Sequence, residues 1–312
     1  MLRTDSEVLL RNGTNPGPTA EIIFWTRKAA DLNSLHEQMC SPEMKRVIST
    51  LQDFKSPAST QLERISQLVL QAAEEANQNN RFLKALQPFF VSLTEELDFT
   101  RLEELYIPMM HTILLVFVHS TTYNSRARLT VLVQMICNTL IAQAQKHISG
   151  EMIFRFIEDE NVTEAVRLLK ITIHSCEKLK EVFLQYRDKA SSTLKSRPWD
   201  ASKEALFVRL DAFVERCSDI LEFAKIVQEF SKLSKVNLGG SKGKVLTETV
   251  LQVHGDFTKA VEKLKGLNYD IMDVTIAAFD DDFYKYRCQV KGNFLLSFVV
   301  RVVCISRSFR SI

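Results

Sequence analysis

Apolar residues along this chain recur every three or four positions and seldom every second one, the spacing that lines up side chains on one face of an α-helix. Ile22, Trp25, Ala29, Leu32, His36 and Met39 form the first such stripe. Met44, Val47, Leu51 and Phe54 form the next, followed by Leu62, Ile65, Leu68 or Val69, and Ala72. The stripes are separated by helix-start chemistry. Ser41-Pro42 and Ser56-Pro57 each offer a hydroxyl to the free amides of a first turn, with proline where no amide partner is lost. Thr100 and Glu103 have capping-box spacing ahead of the run around Pro108. Ser125 precedes Leu129, Leu132 or Val133, Ile136, Leu140 and Ala144, a helix expected to end at Gly150.

The longest pattern lies at residues 163–233. Leu169, Thr172, Cys176, Leu179, Phe183, Tyr186 and Ala190 alternate steps of three and four, and so do Leu206, Leu210, Phe213, Cys217, Ile220, Ala224 and Val227. That is a heptad seam. Folding back at Pro198 would place Leu169 beside Val227, Cys176 beside Ile220, Phe183 beside Phe213 and Ala190 beside Leu206. Each helix of this antiparallel hairpin would be about 30 residues, roughly 45 Å, long. A third stripe, Leu246, Val250, Val253, Phe257, Val261 and Leu264, follows a loop at Asn237–Lys244 and ends before Gly266.

Composition sharpens the picture. Nine Gly and seven Pro in 312 residues are fewer than half of what average usage of about 7% and 5% gives. Residues 109–149, 151–197 and 199–238 contain neither, far beyond the length of strands, which rarely exceed about ten residues. The expected fold is all-α: elongated stacked helical bundles with a long antiparallel heptad hairpin. The expected divisions are a disordered lead-in at 1–18, an N-terminal helical bundle at 19–150, a hairpin or three-helix bundle at 151–290, and a tail at 291–312. Pro88, Pro108 and Gly255 fall inside or beside helices, where kinks or breaks are expected.

Charge and cysteine usage exclude several classes. Forty basic against 38 acidic residues give no basic surplus that would mark a nucleic-acid protein. Four of the basic residues, Lys291, Arg301, Arg307 and Arg310, and no acidic ones lie beyond position 290. The six cysteines show no CxxC pairing and read as small core side chains in a reducing compartment. The N-terminus has no apolar signal core, and the apolar runs Ile107–Val118 and Phe294–Ile305 fall short of the about 18 residues of a membrane span.

Candidate chemistry is sparse. Gly239–Lys244 resembles a phosphate-binding loop, yet position 238 is Leu, position 245 is Val and a helix precedes it, so a helix-to-helix turn is expected. Asp280–Asp282 lacks the Gly and Glu of a calcium loop and reads as a solvated face flanked by buried Phe279 and Phe283. His36, His111, His119, His147, His174 and His254 form no metal-binding spacing, and His111 and His119 read as core or boundary groups. No residue is put forward as catalytic, cofactor-binding or metal-ligating, and no cofactor or metal is expected.

An ordered series of short motifs resembles the N-terminal tail region of dynein heavy chains. It opens with Gly17-Pro18-Thr-Ala-Glu21-Ile-Ile-Phe24-Trp25-Thr-Arg27 and continues with Phe99-Thr-Arg101-Leu102 through Tyr106-Ile107-Pro108, and Tyr123-Asn124-Ser-Arg126. Arg197-Pro198-Trp199-Asp200, Leu206-Phe207 through Asp211, Asn237 through Gly243, and Tyr269-Asp270-Ile-Met-Asp273 through Phe283 complete it. Arg-Pro-Trp and the Gly-Gly loop lean toward the axonemal type.

The resemblance covers roughly residues 17–288. It implies a non-motor segment that assembles with dynein intermediate, light and light-intermediate chains and another dynein heavy chain. The setting would be a minus-end-directed microtubule motor complex in the cytoskeleton and ciliary axoneme, with no nucleic-acid or membrane partner. The ATPase ring and microtubule-binding stalk of the family have no counterpart here, so the chain is not expected to be an enzyme. After about Val290 the resemblance stops, and Val290-Lys291 could be encoded by reading through a splice donor, so a truncated fragment is expected. Two other readings share the physics: an unrelated helical scaffold or tether, and a helical enzyme with a closed polar pocket of coupled titrating groups.

Overall fold

Helix starts follow the local chemistry of the chain. The computed structural model describes residues 17–96, 98–193, 203–237 and 239–290. Among them every regular element is helical: α1 (Thr19–Met39), α2 (Pro42–Asp53), α3 (Pro57–Lys84), α4 (Gln87–Glu95), α5 (Phe99–His119), α6 (Arg126–His147), α7 (Gly150–Glu158), α8 (Val162–Thr193), α9 (Lys203–Phe230), a 3-10 turn (Ser231–Lys235), α10 (Gly240–Lys265) and α11 (278–290).

The hydroxyls of Ser41 and Ser56 accept from the amides of Met44 and Ala58 at 3.2 and 3.3 Å, and Ser125 caps α6 through the amide of Arg128 at 3.3 Å. Pro88 also opens a helix, α4. Pro108 lies within α5, which continues through it, and Gly255 lies within α10. The capping-box reading fails by one residue, because α5 starts at Phe99 and places Thr100 inside its first turn. Gly150 does not close α6 but opens α7, after Ser149.

The chain divides into two compact units, each built from two stretches. Unit 1 holds Met1–Gln143 and Ser175–Leu210. There α1 packs antiparallel along α3, with Thr26 Oγ1 donating to Asn80 at 2.8 Å and Asn33 and Asn77 exchanging two amide hydrogen bonds at 3.0 and 2.9 Å. The core of the unit includes Trp25, Leu83, Phe90, Tyr106, Ile113, Tyr123, Leu132, Phe183 and Phe207. Helix α2 buries no residue, and Phe54 at its end is 80% exposed.

Unit 2 holds Ala144–His174 and Asp211–Ile312. Its described core contains a chain of aromatic contacts among aliphatic side chains such as Ile153, Leu169, Ile220 and Met272. Phe154 meets Phe223 at 6.1 Å, Phe223 meets Tyr286 at 5.3 Å, and Phe283 stacks on both Tyr286 and Phe279 at 5.8 and 5.2 Å. Phe230 stacks on Phe257 at 4.2 Å, joining α9 to α10.

The hairpin seam is buried as its spacing requires, apart from Tyr186, which is half-buried. Cys176 and Cys217 lie fully inside. The register differs from a symmetric fold-back at Pro198. Phe183 meets Phe207 edge-on at 5.4 Å, rather than Phe213, and Gln228 hydrogen-bonds Thr163 at 3.2 Å, rather than lying level with Leu168. Both pairs lie five to six residues short of that fold-back, so the spacing chooses the buried face and does not fix which residues stand level. That turn, with Arg197, Pro198, Trp199 and Asp200, lies outside the described residues.

Candidate functional site

Two of the quoted motifs meet each other in unit 1, and another is held in place in unit 2. In unit 1, Glu21 and Trp25 are one helical turn apart on α1, and the indole Nε1 donates to Glu21 Oε2 at 3.1 Å. The phenol of Tyr123 donates to the same oxygen at 3.4 Å. Arg128 lies 4.9 Å from the Trp25 ring, donates to the Thr122 carbonyl at 2.7 Å and pairs with Glu75 at 2.8 Å. Glu21, Trp25 and Tyr123 are almost entirely buried, and burial, with the Glu21 carboxylate adding to it, pushes the Tyr123 phenol well above its ordinary range. The two motifs, about a hundred residues apart, thus form one polar joint within an apolar core. Tyr106, from the motif on α5, makes a similar joint with Ser175 Oγ at 2.7 Å.

In unit 2, the motif at Tyr269–Asp273 is held from two sides. Asp270 Oδ1 accepts from the amides of Gly150 and Met272 at 3.1 and 3.0 Å, which fixes the loop against the start of α7. The approach is close enough that Gly150 has no room for a Cβ atom: one would sit 2.5 Å from Asp270 Oδ1. From α9, Arg216 is 6% exposed and donates to the carbonyls of Ile271, Asp273 and Ile276 at 3.0, 2.9 and 3.2 Å. Its guanidinium lies 3.9 Å from the Phe279 ring centre. Burial lowers its pKa, and the Asp280 carboxylate 3.5 Å away opposes that shift. Sequence reasoning missed Arg216, although it stands three residues after the seam residue Phe213 and so borders the buried face.

The features weighed as sites resolve into structure. Gly239 precedes α10 and Gly240 has φ +80, a left-handed conformation that glycine adopts freely, while the element before them is a 3-10 turn and not the strand of a phosphate loop. In the aspartate run, Asp280 approaches Arg216, and Asp282 accepts from the Tyr269 phenol at 2.8 Å and from Lys285 at 3.2 Å. The Tyr269 bond, then the Lys285 bond, hold the Asp282 carboxyl below its usual range. Burial and that same bond raise Tyr269 to about 12.

Among the described residues no group of three or more His, Cys, Asp or Glu side chains could hold a metal. His111 and His119 are exposed, because the buried face of α5 falls instead on Tyr106, Met109, Met110, Ile113, Val116 and Phe117. Cys137, Cys176 and Cys217 are core residues as expected, whereas Cys40 and Cys288 are exposed.

One cavity, of about 590 Å³, opens in unit 2 over Phe154, Leu264 and Ile271. Its rim charges pair with each other, Arg155 with Glu151 at 2.8 Å and Lys265 with Glu158. Residues 101–119 and 126–158 are long and apolar enough to cross a membrane by length and composition, beyond the 12-residue runs read from sequence, with 39% and 67% of the respective windows buried within the protein.

Buried polar joints between helices, and rim charges that pair with each other, define a helical packing scaffold. The sequence comparisons place that scaffold in a family: the chain belongs to the dynein heavy chains, the family model for dynein heavy chain, N-terminal region 1, matching residues 1–292. The dynein beta chain of the flagellar outer arm of Chlamydomonas reinhardtii is 38% identical over 292 residues. The ciliary dynein beta chain of Heliocidaris crassispina is 29% identical over 294 residues, and human dynein axonemal heavy chain 17 is 26% identical over 299. Each alignment covers 93% of this chain and 6% of the relative, so the chain spans about 6% of the length of the curated relatives it matches. Flagellar, ciliary and axonemal heavy chains are the company in which this sequence falls.

Proposed function

We propose that this chain is a non-catalytic tail segment of an axonemal dynein heavy chain. Its task is assembly: it joins intermediate, light and light-intermediate chains, and another heavy chain, into a minus-end-directed microtubule motor complex at the ciliary axoneme. The observation that carries this reading is the family match itself, which lies in the N-terminal region and runs through nearly all of the helical scaffold. The polar joints at Glu21–Trp25–Tyr123 and at Arg216 support it, because they hold helices in fixed positions on which partner helices can dock. Hydrolysis of ATP is assigned to other parts of the heavy chain.

The test is a pull-down from ciliary extract with the full 312-residue chain as bait, analysed by mass spectrometry. Intermediate chains and a heavy chain should be enriched over a bait with Trp25→Ala and Arg216→Ala. Recovery of no dynein subunit, or ATP hydrolysis by the purified chain, would overturn the reading.

A further inference from the structure

The histidines form no metal-binding spacing with one another, yet one of them stands a single helical turn before a cysteine. His36 lies in the last turn of α1, and Cys40 follows at its C-cap. The Cys40 amide donates to the His36 carbonyl at 2.9 Å, and Ser41, the next residue, already caps α2. The backbone of both residues is therefore held by helix ends on either side.

The two side chains face each other. Cys40 Sγ lies 3.6 Å from His36 Nε2 and 3.9 Å from Nδ1. A tetrahedral zinc ion, with bonds of about 2.3 Å to sulfur and about 2.0–2.1 Å to an imidazole nitrogen, holds its two donor atoms about 3.5–3.6 Å apart. The pair thus stands at the separation that an ion bound to both would impose, and only the ring has to turn. Packing does not account for the thiol, because free cysteine is among the most buried residue types and Cys40 is exposed. His36 is half-buried, so solvent reaches both groups. Among the described residues no third His, Cys, Asp or Glu joins them.

We propose that His36 and Cys40 chelate a zinc-class divalent cation at the end of α1. Thiolate and imidazole are the donors such an ion takes, whereas magnesium and calcium take oxygen. On binding, the Cys40 thiol releases its proton to solvent and its sulfur donates an electron pair to the ion, as does one nitrogen of neutral His36. Two of the four tetrahedral positions remain for outside donors. The ion would clamp the last turn of α1 beside the start of α2, a helix that buries no side chain of its own. This inference goes beyond the assembly reading and does not depend on it.

The test uses the full 312-residue chain without an affinity tag, kept reduced by a phosphine, and cobalt(II) as the optical stand-in for zinc. Titration should give a saturable spectrum with a thiolate-to-cobalt charge-transfer band and the d–d bands of a four-coordinate ion. Cys40→Ser should remove the charge-transfer band. His36→Ala should weaken binding at least about tenfold, since even partners outside the first ring of ligands are worth that much. Cys288→Ser, at the other exposed cysteine of the described residues, should change neither, and excess magnesium should not compete. Amide exchange at residues 36–41 should slow when zinc is bound, and not in Cys40→Ser. Circular dichroism checks that the variants keep their helix content.

Sedimentation of the zinc-loaded chain identifies the remaining donors. A monomer leaves water in the two open positions, and a zinc-dependent dimer fills them with the same pair from a second copy; either supports the chelate. Absence of a saturable cobalt signal up to about 100 μM would overturn the proposal. A signal unchanged in Cys40→Ser or His36→Ala, or lost in Cys288→Ser, would overturn it too, and the contact would then be a thiol-to-imidazole hydrogen bond alone. Metal binding alongside a failed pull-down would reject only the assembly reading.

Discussion

Replacing Arg216 with alanine removes three hydrogen bonds from a charged donor to the carbonyls of Ile271, Asp273 and Ile276, together with its packing on Phe279. A hydrogen bond to a charged group contributes about 1.5–3 kcal/mol, but bonds sharing one donor are not additive. The carbonyl of buried Ile271 loses its arginine partner, and the loop can relax to let water reach the other two. A loss of about 3–5 kcal/mol is therefore expected for unit 2. At a slope of about 2.5 kcal/mol per molar urea, that lowers the midpoint by about 1–2 M. Arg216→Lys should fall between parent and alanine, because an ammonium cannot reach three carbonyls from one planar fork. Urea unfolding followed by circular dichroism gives the midpoint, and hydrogen–deuterium exchange locates the damage. Exchange should rise across residues 267–280 and stay unchanged across α1 and α3. A midpoint within about 0.2 M of the parent, the equivalent of the about 0.5 kcal/mol of a neutral surface change, would refute the claim that Arg216 holds this loop.

Two glycines should respond in opposite directions: Gly150→Ala forces a Cβ against Asp270 and Ile271 and should cost about 1–3 kcal/mol, whereas Gly255→Ala, with no atom within 4 Å, should gain about 0.5–1 kcal/mol, both read from thermal melting. Ser41→Ala and Ser56→Ala should each cost about 1 kcal/mol and raise amide exchange in the first turns of α2 and α3; unchanged exchange there would discount the caps. Burial raises the phenol pKa values of Tyr106, Tyr123 and Tyr286, so folding favours their neutral forms. Their contribution is complete below the ordinary value of 10.0 and fades as pH climbs past it, so stability should fall on the alkaline side and phenolate absorbance should appear together with unfolding. A phenolate signal from all six tyrosines with the helices intact would contradict their burial.

Local signals along the chain carried most of the helix boundaries. Ser41, Ser56 and Ser125 cap where their neighbours implied, since a cap depends on residues within one turn. The seam of α8 and α9 was legible as a face but not as a register, because its spacing decides which residues are buried and not which pairs stand level. The joints were hidden for a different reason. Glu21 stands one turn before Trp25 and could be recognised as a carboxylate on a buried face, yet its partner Tyr123 comes from a helix-to-helix connection far along the chain. Arg216 bonds to carbonyls, which every residue possesses, so no side-chain pattern could announce them. The resemblance to dynein tails rested on short motifs in a fixed order, of which those at Glu21–Trp25 and Tyr123 meet in one joint.

The two-stretch composition of each unit has a consequence for synthesis. Helix α8 contributes residues up to His174 to unit 2 and those from Ser175 to unit 1, and α9 changes unit at Leu210. Unit 1 therefore cannot close when Gln143 leaves the ribosome; it waits for Ser175–Leu210 to emerge. During that interval Leu168 and Leu169, which belong to unit 2, are already outside the exit tunnel while Ile220, Phe223 and Phe279 have not yet emerged. Nascent chain of this sequence must pass through a stage with apolar helix faces uncovered on both units at once, which is the stage at which a chaperone would be needed.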